Sequence, residues 1–218
     1  MAHLLHIDSS AAPAGSVSRE VAATFRTAWE QEHESGTVTH LDLALNPVPH
    51  LTSAGIAARA KTSADRSTEE SAAAALQDRL VAQLRAADAY LFGVPMYNWT
   101  VPSTFKAWLD QIVIAGRTTV FGDEPETVKG RPATVIVSAG GGYGPGTPRE
   151  GWDFATPYLE KVLTEALGLD VHTIQIELTM AHHSPAMAAL RDISDLNRTN
   201  AHADAEKLAR VLAQEFKH

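Results

Sequence analysis

The most constraining feature of this sequence is the run Ala89-Tyr-Leu-Phe-Gly-Val-Pro-Met96, which is apolar almost without interruption. A strand with one face in solvent alternates apolar and polar residues, whereas a strand of a parallel sheet is covered on both faces and needs no alternation. The run therefore predicts an inner strand of a parallel sheet.

Short apolar runs alternate with segments of helical period along the rest of the chain. Strands are also predicted at 4–7, 38–43, 134–137 and 174–178. Helices are predicted after Ser16, over 69–87, after Pro102, around 159–166 and near the C-terminus. The stretch 44–68 has no clear period.

This order of elements predicts the fold class. Parallel neighbours need a crossover between them, so five strands alternating with five helical segments favour an open α/β sheet with helices on both faces. We predict a flavodoxin-like three-layer fold with a five-stranded parallel sheet of order 2-1-3-4-5. At 218 residues, the chain is predicted to be a single domain spanning residues 1–218.

Composition excludes several classes of function. There is no Cys, so disulfides, thiolate metal sites and a Cys nucleophile are excluded. Lys and Arg number 18 against 26 Asp and Glu, a net charge of −8 without a basic run, so nucleic acid is not an expected partner. The N-terminus lacks a signal-peptide pattern and no run is long enough to cross a bilayer, so we expect a cytoplasmic protein without membrane association.

Metal and hydrolase chemistry are not predicted. His182 and His183 are adjacent, and adjacent side chains on a strand or helix do not share a face. Neither an HExxH motif nor a G-x-S-x-G elbow occurs. We expect no metal site and no serine nucleophile.

The loops after the first, third and fourth strands should meet at one edge of the sheet, where open α/β folds bind ligands. The first of these loops, 9–18, is rich in Ser and small residues and precedes a helix, an arrangement that holds anions such as a terminal phosphate. The alternative is that Ser16 or Ser18 only caps the helix. The loop lacks the P-loop and GxGxxG patterns, so ATP and dinucleotide fingerprints are absent.

The other two loops suit a flat ring. Residues Met96-Tyr-Asn-Trp99 supply apolar, aromatic and amide groups in consecutive positions, although they would also suit a surface turn whose aromatics pack inwards. Residues 138–146 contain five Gly, which lets backbone amides approach a ligand closely, although such loops are often only mobile.

At these residues the sequence resembles the FMN-dependent NAD(P)H azoreductase family, relatives of the quinone reductases. The similarity runs almost end to end. It rests on the following segments: Ser9-Ser10, Ser16-Val17-Ser18, Met96-Tyr97-Asn98-Trp99 with Pro102-Ser103-Thr104-Phe105-Lys106, Ser138-Ala139-Gly140-Gly141 and Thr156-Pro157-Tyr158-Leu159.

The resemblance implies a role for each matching position. Residues implied to hold the phosphate end of FMN are Ser10, Ser16, Val17 and Ser18. Residues implied to line the isoalloxazine are Pro95, Met96, Tyr97, Asn98 and Trp99. Residues implied to close over the pyrimidine edge are Ser138, Ala139, Gly140 and Gly141. On the substrate side the implied residues are Phe121 and Tyr143.

The same resemblance implies hydride transfer from NADH or NADPH through one FMN per subunit to a quinone or azo acceptor, with no catalytic side chain because the flavin carries the chemistry. It also implies a homodimer with FMN near the interface. Two positions depart from the family: Ala139 stands where many members have Arg, and Trp99 where Phe is usual. The alternative function is a flavodoxin-like electron carrier or regulatory module without substrate turnover.

Overall fold

A computed structural model describes residues 1–33, 35–120 and 128–216. Five strands are present: β1 (His3–Asp8), β2 (Thr37–Asp42), β3 (Ala89–Pro95), β4 (Pro132–Ser138) and β5 (Asp170–Ile176). The α-helices in the described residues are α1 (Val17–Glu32), α2 (Ser53–Arg59), α3 (Thr68–Ala86), α4 (Ser103–Ile112), α5 (Thr156–Lys161) and α6 (Arg191–Gln214). In this part of the chain, no helix has the length and apolar character that crossing a membrane requires.

The strands form one sheet of order β2-β1-β3-β4-β5, and every neighbouring pair is parallel. This confirms the predicted sheet order and fold class. β3 and β4 are buried along their whole length, as the uninterrupted apolar run at 89–96 predicts. β2 is an edge strand and stays only partly buried.

The helices cover the two faces of the sheet in separate groups. One face carries α3, α4 and α5, whose apolar residues pack with Phe92, Phe105 and Trp108 in the larger core cluster. The opposite face carries α1 and α6, which pack over Leu4 and Leu91 in a second cluster. The result is the predicted three-layer arrangement, with the carboxyl ends of all five strands at one edge.

Local sequence signals explain several helix boundaries. Ser67 and Glu70 form a reciprocal capping box at the start of α3, with hydrogen bonds of 2.8 and 3.2 Å between side chains and backbone amides. Gly168 ends the helical segment at 156–166 in a left-handed conformation (φ +74°), as its position predicts. Pro102 is the N-cap residue of α4 rather than its first residue, one position from the prediction.

The stretch 44–68 contains α2 and a short 3₁₀ turn at Ser63–Asp65, where the sequence predicts no regular structure. Polar contacts hold this segment on the helices beneath it. The Gln77 side-chain amide donates to the backbone oxygen of Gly55 at 3.3 Å, and the Arg59 guanidinium donates to the backbone oxygen of Asp110 at 2.6 Å. The long connection is therefore fixed against α3 and α4.

Candidate functional site

A cavity of about 270 Å³ opens at the carboxyl edge of the sheet. Its walls come from the loop after β1, from the end of β3 and Tyr97 beyond it, from the last residue of β4, from the end of β5 with the segment that follows it, and from the first turns of α6. The sequence-predicted residues that line it are Ser10, Ser16, Val17, Pro95, Tyr97 and Ser138. The parallel topology thus brings residues of all three predicted loops to one site.

The loop after β1 leads into a helix N-terminus that no side chain caps. Ser9 anchors this loop, because its amide and its hydroxyl both donate to the backbone oxygen of Gly93, at 3.0 and 2.9 Å. Ser16 is the N-cap residue of α1, yet its side chain accepts no bond from the helix, and its Oγ lies 3.2 Å from Oγ of the fully buried Ser18. The first-turn amides and the positive end of the helix dipole therefore face the site, which suits an anion better than a simple cap does.

The loop after β3 contains a tight turn with unusual backbone angles. Tyr97 and Thr100 exchange backbone hydrogen bonds of 2.9 and 3.2 Å, while Asn98 and Trp99 between them have φ values of +49° and +66°. Asn tolerates the left-handed region, whereas a bulky residue such as Trp adopts it at a cost of about 1–2 kcal/mol. Such strain is commonly held at functional sites, where the surroundings enforce it.

The turn places the Tyr97 hydroxyl against the loop after β1. The Ala11 amide donates to this hydroxyl at 3.0 Å, and Ser10 Oγ lies 3.3 Å from it. Tyr97 also remains 37% exposed. Its ring therefore spans the two loops and forms a wall of the cavity between them.

The glycine-rich loop after β4 packs against the chain that follows β5. The Ala139 amide donates to Ile176, and the backbone oxygens of Gly140 and Gly141 accept from Met180 and Leu178 at 3.2 and 3.1 Å. Among the residues that the structure describes, none accepts a hydrogen bond from the amides of Gly140 or Gly141. These two donors are free for a ligand.

Gly140 packs closely against the Met180 side chain. A Cβ built at this position would lie 2.9 Å from the Met180 side chain, closer than real Cβ atoms come. Ser138 joins this loop to the loop after β3, since its backbone oxygen accepts from the Met96 amide at 2.7 Å. Three backbones thus meet at this corner of the site.

The wall beyond β5 was missed by the sequence analysis. It contributes Thr179, Met180, His182 and His183, and the start of α6 adds Ser194, Asp195 and Arg198. The His182 ring nitrogen Nε2 lies 2.7 Å from a carboxylate oxygen of Asp195, and Arg198 pairs with Glu20. Both histidines are exposed loop residues, as expected, but their position at the cavity follows only from the strand order.

A second group of charged residues lies behind the loop after β1, outside the cavity. Asp8 is buried, with Nε2 of His40 3.0 Å and Nε2 of His6 3.3 Å from its Oδ2, and with Arg19 3.6 Å away. Burial alone would raise the pKa of Asp8, but the hydrogen bond with His40, the nearby His6 ring and the charge of Arg19 hold that pKa well below its usual value. Burial lowers the pKa of His6.

The group His6, Asp8 and His40 also has the composition of a metal site, since one ligand atom from each lies within 4.8 Å of the others. The sequence analysis weighed only His182 and His183 and overlooked it. His6 and His40 are register partners on β1 and β2, with rings stacked 4.4 Å apart, which explains how they meet. Arg19 lies 3.6 Å from Asp8, while both ring nitrogens of His6 and Oδ1 of Asp8 are buried without a hydrogen-bond partner among the described residues.

The remaining predicted residues that the structure describes do not line this cavity. Asn98 lines a neighbouring cavity of about 510 Å³ on which Tyr97 also borders. Met96 is half-buried against the larger core cluster, and Trp99 is 39% exposed with its ring 5.3 Å from that of Trp152. The Tyr143 ring lies beside Gly141, and its amide donates to Glu177. Phe121 lies outside the described residues.

This three-layer fold, with a parallel sheet of order β2-β1-β3-β4-β5 and a cavity at its carboxyl edge, is typical of the class of flavodoxin-like proteins. The family described as "Flavodoxin-like fold" matches residues 2–214. The chain belongs to this family.

Two relatives from Streptomyces have similar sequences over nearly the whole chain. A protein of Streptomyces avermitilis named FMN-dependent NADH:quinone oxidoreductase is 49% identical over 217 residues and covers 99% of each chain. A protein of Streptomyces coelicolor with the same name is 48% identical and covers 98% of this chain and 96% of its own. They confirm the resemblance drawn from the sequence motifs.

Solved structures agree on the fold. An azoreductase from Bacillus anthracis str. Sterne superposes with a TM-score of 0.83 at 24% identity, covering 96% of this chain and 99% of the other. A second Bacillus anthracis structure, described as an FMN-dependent NADH-azoreductase in complex with FMN, gives a TM-score of 0.79 at 21% identity and covers 96% of this chain and 100% of the other. At these identities the likeness supports the fold.

Proposed function

We propose that this protein is an FMN-dependent NADH:quinone oxidoreductase that also reduces azo compounds. Two independent observations, one from the sequence comparison and one from the structure, support the proposal. A relative of that name is 49% identical over 99% of both chains, and the three loops that would hold a flavin converge at one edge of this sheet. The domain of residues 1–218 would then act as one FMN-binding unit.

The donors at the site suit FMN. A phosphate needs several hydrogen-bond donors, and the uncapped start of α1 offers amides together with the hydroxyls of Ser10 and Ser16. A flavin ring needs flat contacts and donors for its polar edge, which Tyr97 and the free amides of Gly140 and Gly141 supply. A Cβ at Gly140 would press against the Met180 side chain, which lines the cavity.

Each predicted residue then has a role in holding the cofactor. Ser10, Ser16, Val17 and Ser18 would hold the phosphate end. Pro95, Met96, Tyr97, Asn98 and Trp99 would line the ring. Ser138, Ala139, Gly140 and Gly141 would close over its pyrimidine edge, while Tyr143 and Phe121 would face the substrate. When bound, FMN supplies the hydride chemistry between NADH and the acceptor.

The chain's own groups would prepare the site for that chemistry. Amides of Gly140 and Gly141 would donate to the polar edge of the ring and favour negative charge there, as donors of an oxyanion hole do. The Tyr97 and Trp99 side chains would give flat apolar walls that exclude water. No side-chain nucleophile is required.

Reduction of the bound flavin by its donor tests this function. Purified protein is loaded with FMN, desalted and titrated with NADH, and separately with NADPH, without oxygen while the visible flavin bands are recorded. We expect FMN to stay bound and to bleach, and the reduced protein to reoxidise when a benzoquinone or an azo dye is added. Loss of FMN on desalting would contradict the proposal, and retained but unbleached flavin would favour the electron carrier.

Asn98→Ala offers a residue-level test of the same site. We expect weaker FMN binding and slower reduction, because Asn98 lies in the strained turn beside Tyr97 and borders the neighbouring cavity. The matched control is Asn200→Ala on the exposed surface of α6, which should change neither quantity. Equal FMN affinity in the Asn98 variant and the control would remove the role assigned to Asn98.

The assembly and location belong to the same proposal. We infer a homodimer with FMN near the interface, which is supported by the exposed aromatic residues Trp99, Trp152 and Phe154 beside the site. Sedimentation equilibrium should give twice the chain mass, and a monomer at micromolar concentration would contradict this. We place the protein in the cytoplasm, where NADH is produced, and cell fractionation tests that placement.

A further inference from the structure

Arg19 is a cation in a place that is unfavourable for one. It lies in the first turn of α1, where the positive end of the helix dipole repels a positive charge, and only 14% of its side chain is exposed. Two carboxylates compensate. Asp42 accepts from both terminal nitrogens at 2.6 and 2.8 Å, and Asp8 lies 3.6 Å away. The planar guanidinium of this partly buried arginine is thereby held in one orientation.

The third partner of Arg19 lies in the loop after β1. Nη2 of Arg19 donates to the backbone oxygen of Ser10 at 2.7 Å. This oxygen and the Ala11 amide belong to one planar trans peptide and point in opposite directions. Arg19 holds the Ser10 oxygen on the side where the guanidinium lies. The Ala11 amide therefore points to the opposite side, towards the site, where it donates to the Tyr97 hydroxyl at 3.0 Å.

Arg19 itself does not line the cavity. Its guanidinium is behind the loop, between that loop and the end of β2, so it acts on a ligand through the backbone that it holds and not by direct contact. It also cancels negative charge near the site, since Asp8 and Asp42 would otherwise repel an anion bound at the start of α1.

We propose that Arg19, clamped by Asp42, is a positioning residue that pre-organises the loop 9–18 for the phosphate end of FMN. The inference rests on the proposed function, and it assigns to Arg19 and Asp42 a role in selecting flavins that carry a phosphate. Riboflavin has the same ring without the phosphate. The clamp therefore acts on FMN and leaves riboflavin binding unchanged.

The comparison of these two flavins separates positioning from mere stability. Apoprotein is titrated with FMN and with riboflavin, and binding is followed by quenching of flavin fluorescence, for wild-type protein and for Arg19→Gln. We expect the FMN affinity to fall about tenfold, as pre-organised donors are lost, while riboflavin affinity changes by less than about twofold. Arg19→Lys keeps the charge but cannot form the two-pronged contact, so an intermediate loss is expected.

The matched control is Arg26→Gln, on the same helix. Arg26 pairs with Glu30 one turn away on the surface, at 2.9 Å, and should change neither affinity. Should Arg19→Gln not fold, Asp42→Asn tests the same clamp from the other side, because it removes one charge while Arg19 keeps its bond to Ser10. The expected result is a smaller loss that is again confined to FMN.

Three outcomes would overturn the inference. Equal losses for FMN and riboflavin would mean that the clamp only stabilises the fold, and an unchanged FMN affinity in folded Arg19→Gln would mean that it does not position the loop. Wild-type protein that prefers riboflavin over FMN would show that the loop does not recognise phosphate. The proposed function fails separately, namely when wild-type protein binds neither flavin.

Discussion

Gly93→Ala tests how tightly the strand core is coupled to the loop after β1. Gly93 lies in β3 opposite Asp8 of β1, and a Cβ added to it would lie 2.5 Å from Oδ1 of Asp8. Non-bonded atoms are comfortable near 3.5 Å, so the carboxylate must move by about 1 Å. Asp8 is not free to move, because it is buried and His40 and Arg19 hold it.

The expected cost combines two effects. Forcing a methyl group into a packed interior costs about 1–3 kcal/mol, and moving Asp8 off His40 weakens a hydrogen bond to a charged group that is worth about 1.5 kcal/mol. A total near 3 kcal/mol corresponds to a fall in Tm of about 6–12 °C for a chain of this length. The loop after β1 should also become less ordered, since the Ser9 hydroxyl in that loop donates to the backbone oxygen of Gly93.

Denaturant unfolding of four proteins measures this coupling: wild type, Gly93→Ala, Asp8→Ala and the double variant. The clash involves the Asp8 carboxylate, so Gly93→Ala should cost about 2 kcal/mol less when residue 8 is already Ala. Gly144→Ala is the control, because a Cβ there meets nothing within 4 Å. Equal costs of Gly93→Ala in both backgrounds, or a stable single variant, would refute the reasoning.

Three further predictions follow from the described contacts. Burial lowers the pKa of His6 in the folded protein. Below about pH 6.5 the unfolded chain therefore takes up a proton that the folded chain does not, and the free energy of unfolding decreases as the pH is lowered. Denaturant unfolding at about pH 7.5 and 5.5 should show this loss, and His6→Leu should reduce it. Tyr97→Phe removes the acceptor of the Ala11 amide and should weaken FMN binding at unchanged Tm in calorimetry; unaltered affinity would count against the role of this hydroxyl. Gly140→Ala places a Cβ against Met180 and should lower flavin affinity severalfold in fluorescence titration. Gly144→Ala, at a position where a Cβ meets nothing within 4 Å, should leave that affinity unchanged.

The sheet was predictable because its signals are local. The apolar run at 89–96 and the alternation of strands with helical segments determine a parallel sheet almost without reference to tertiary contacts. α2 was not predictable in this way, since its sequence is dominated by small residues and shows no apolar stripe. Contacts with Gln77 and Asp110, far away in the sequence, stabilise it instead.

The candidate site was likewise predictable from the sequence only in part. Loops that follow predicted strands were identified, because strand order alone places them together. The turn at Asn98 and Trp99 carries no glycine, so its left-handed angles could not be inferred from residue preferences. The group His6, Asp8 and His40 depends on the register of β1 against β2, and register is not visible in one strand's sequence.

The position of charge explains how an acidic chain of net charge −8 can hold an anion. The donors that the loop after β1 itself offers are neutral, namely amides and the hydroxyls of Ser10 and Ser16, and their strength depends on orientation rather than on charge. Orientation must come from elsewhere, and Arg19 supplies it by holding Ser10 from behind. Since Asp42 and Asp8 offset the charge of Arg19, the clamp orients the donors without adding positive charge that would bind phosphate indiscriminately. Selectivity for a phosphate attached to a flavin then depends on the ring-binding loops as well.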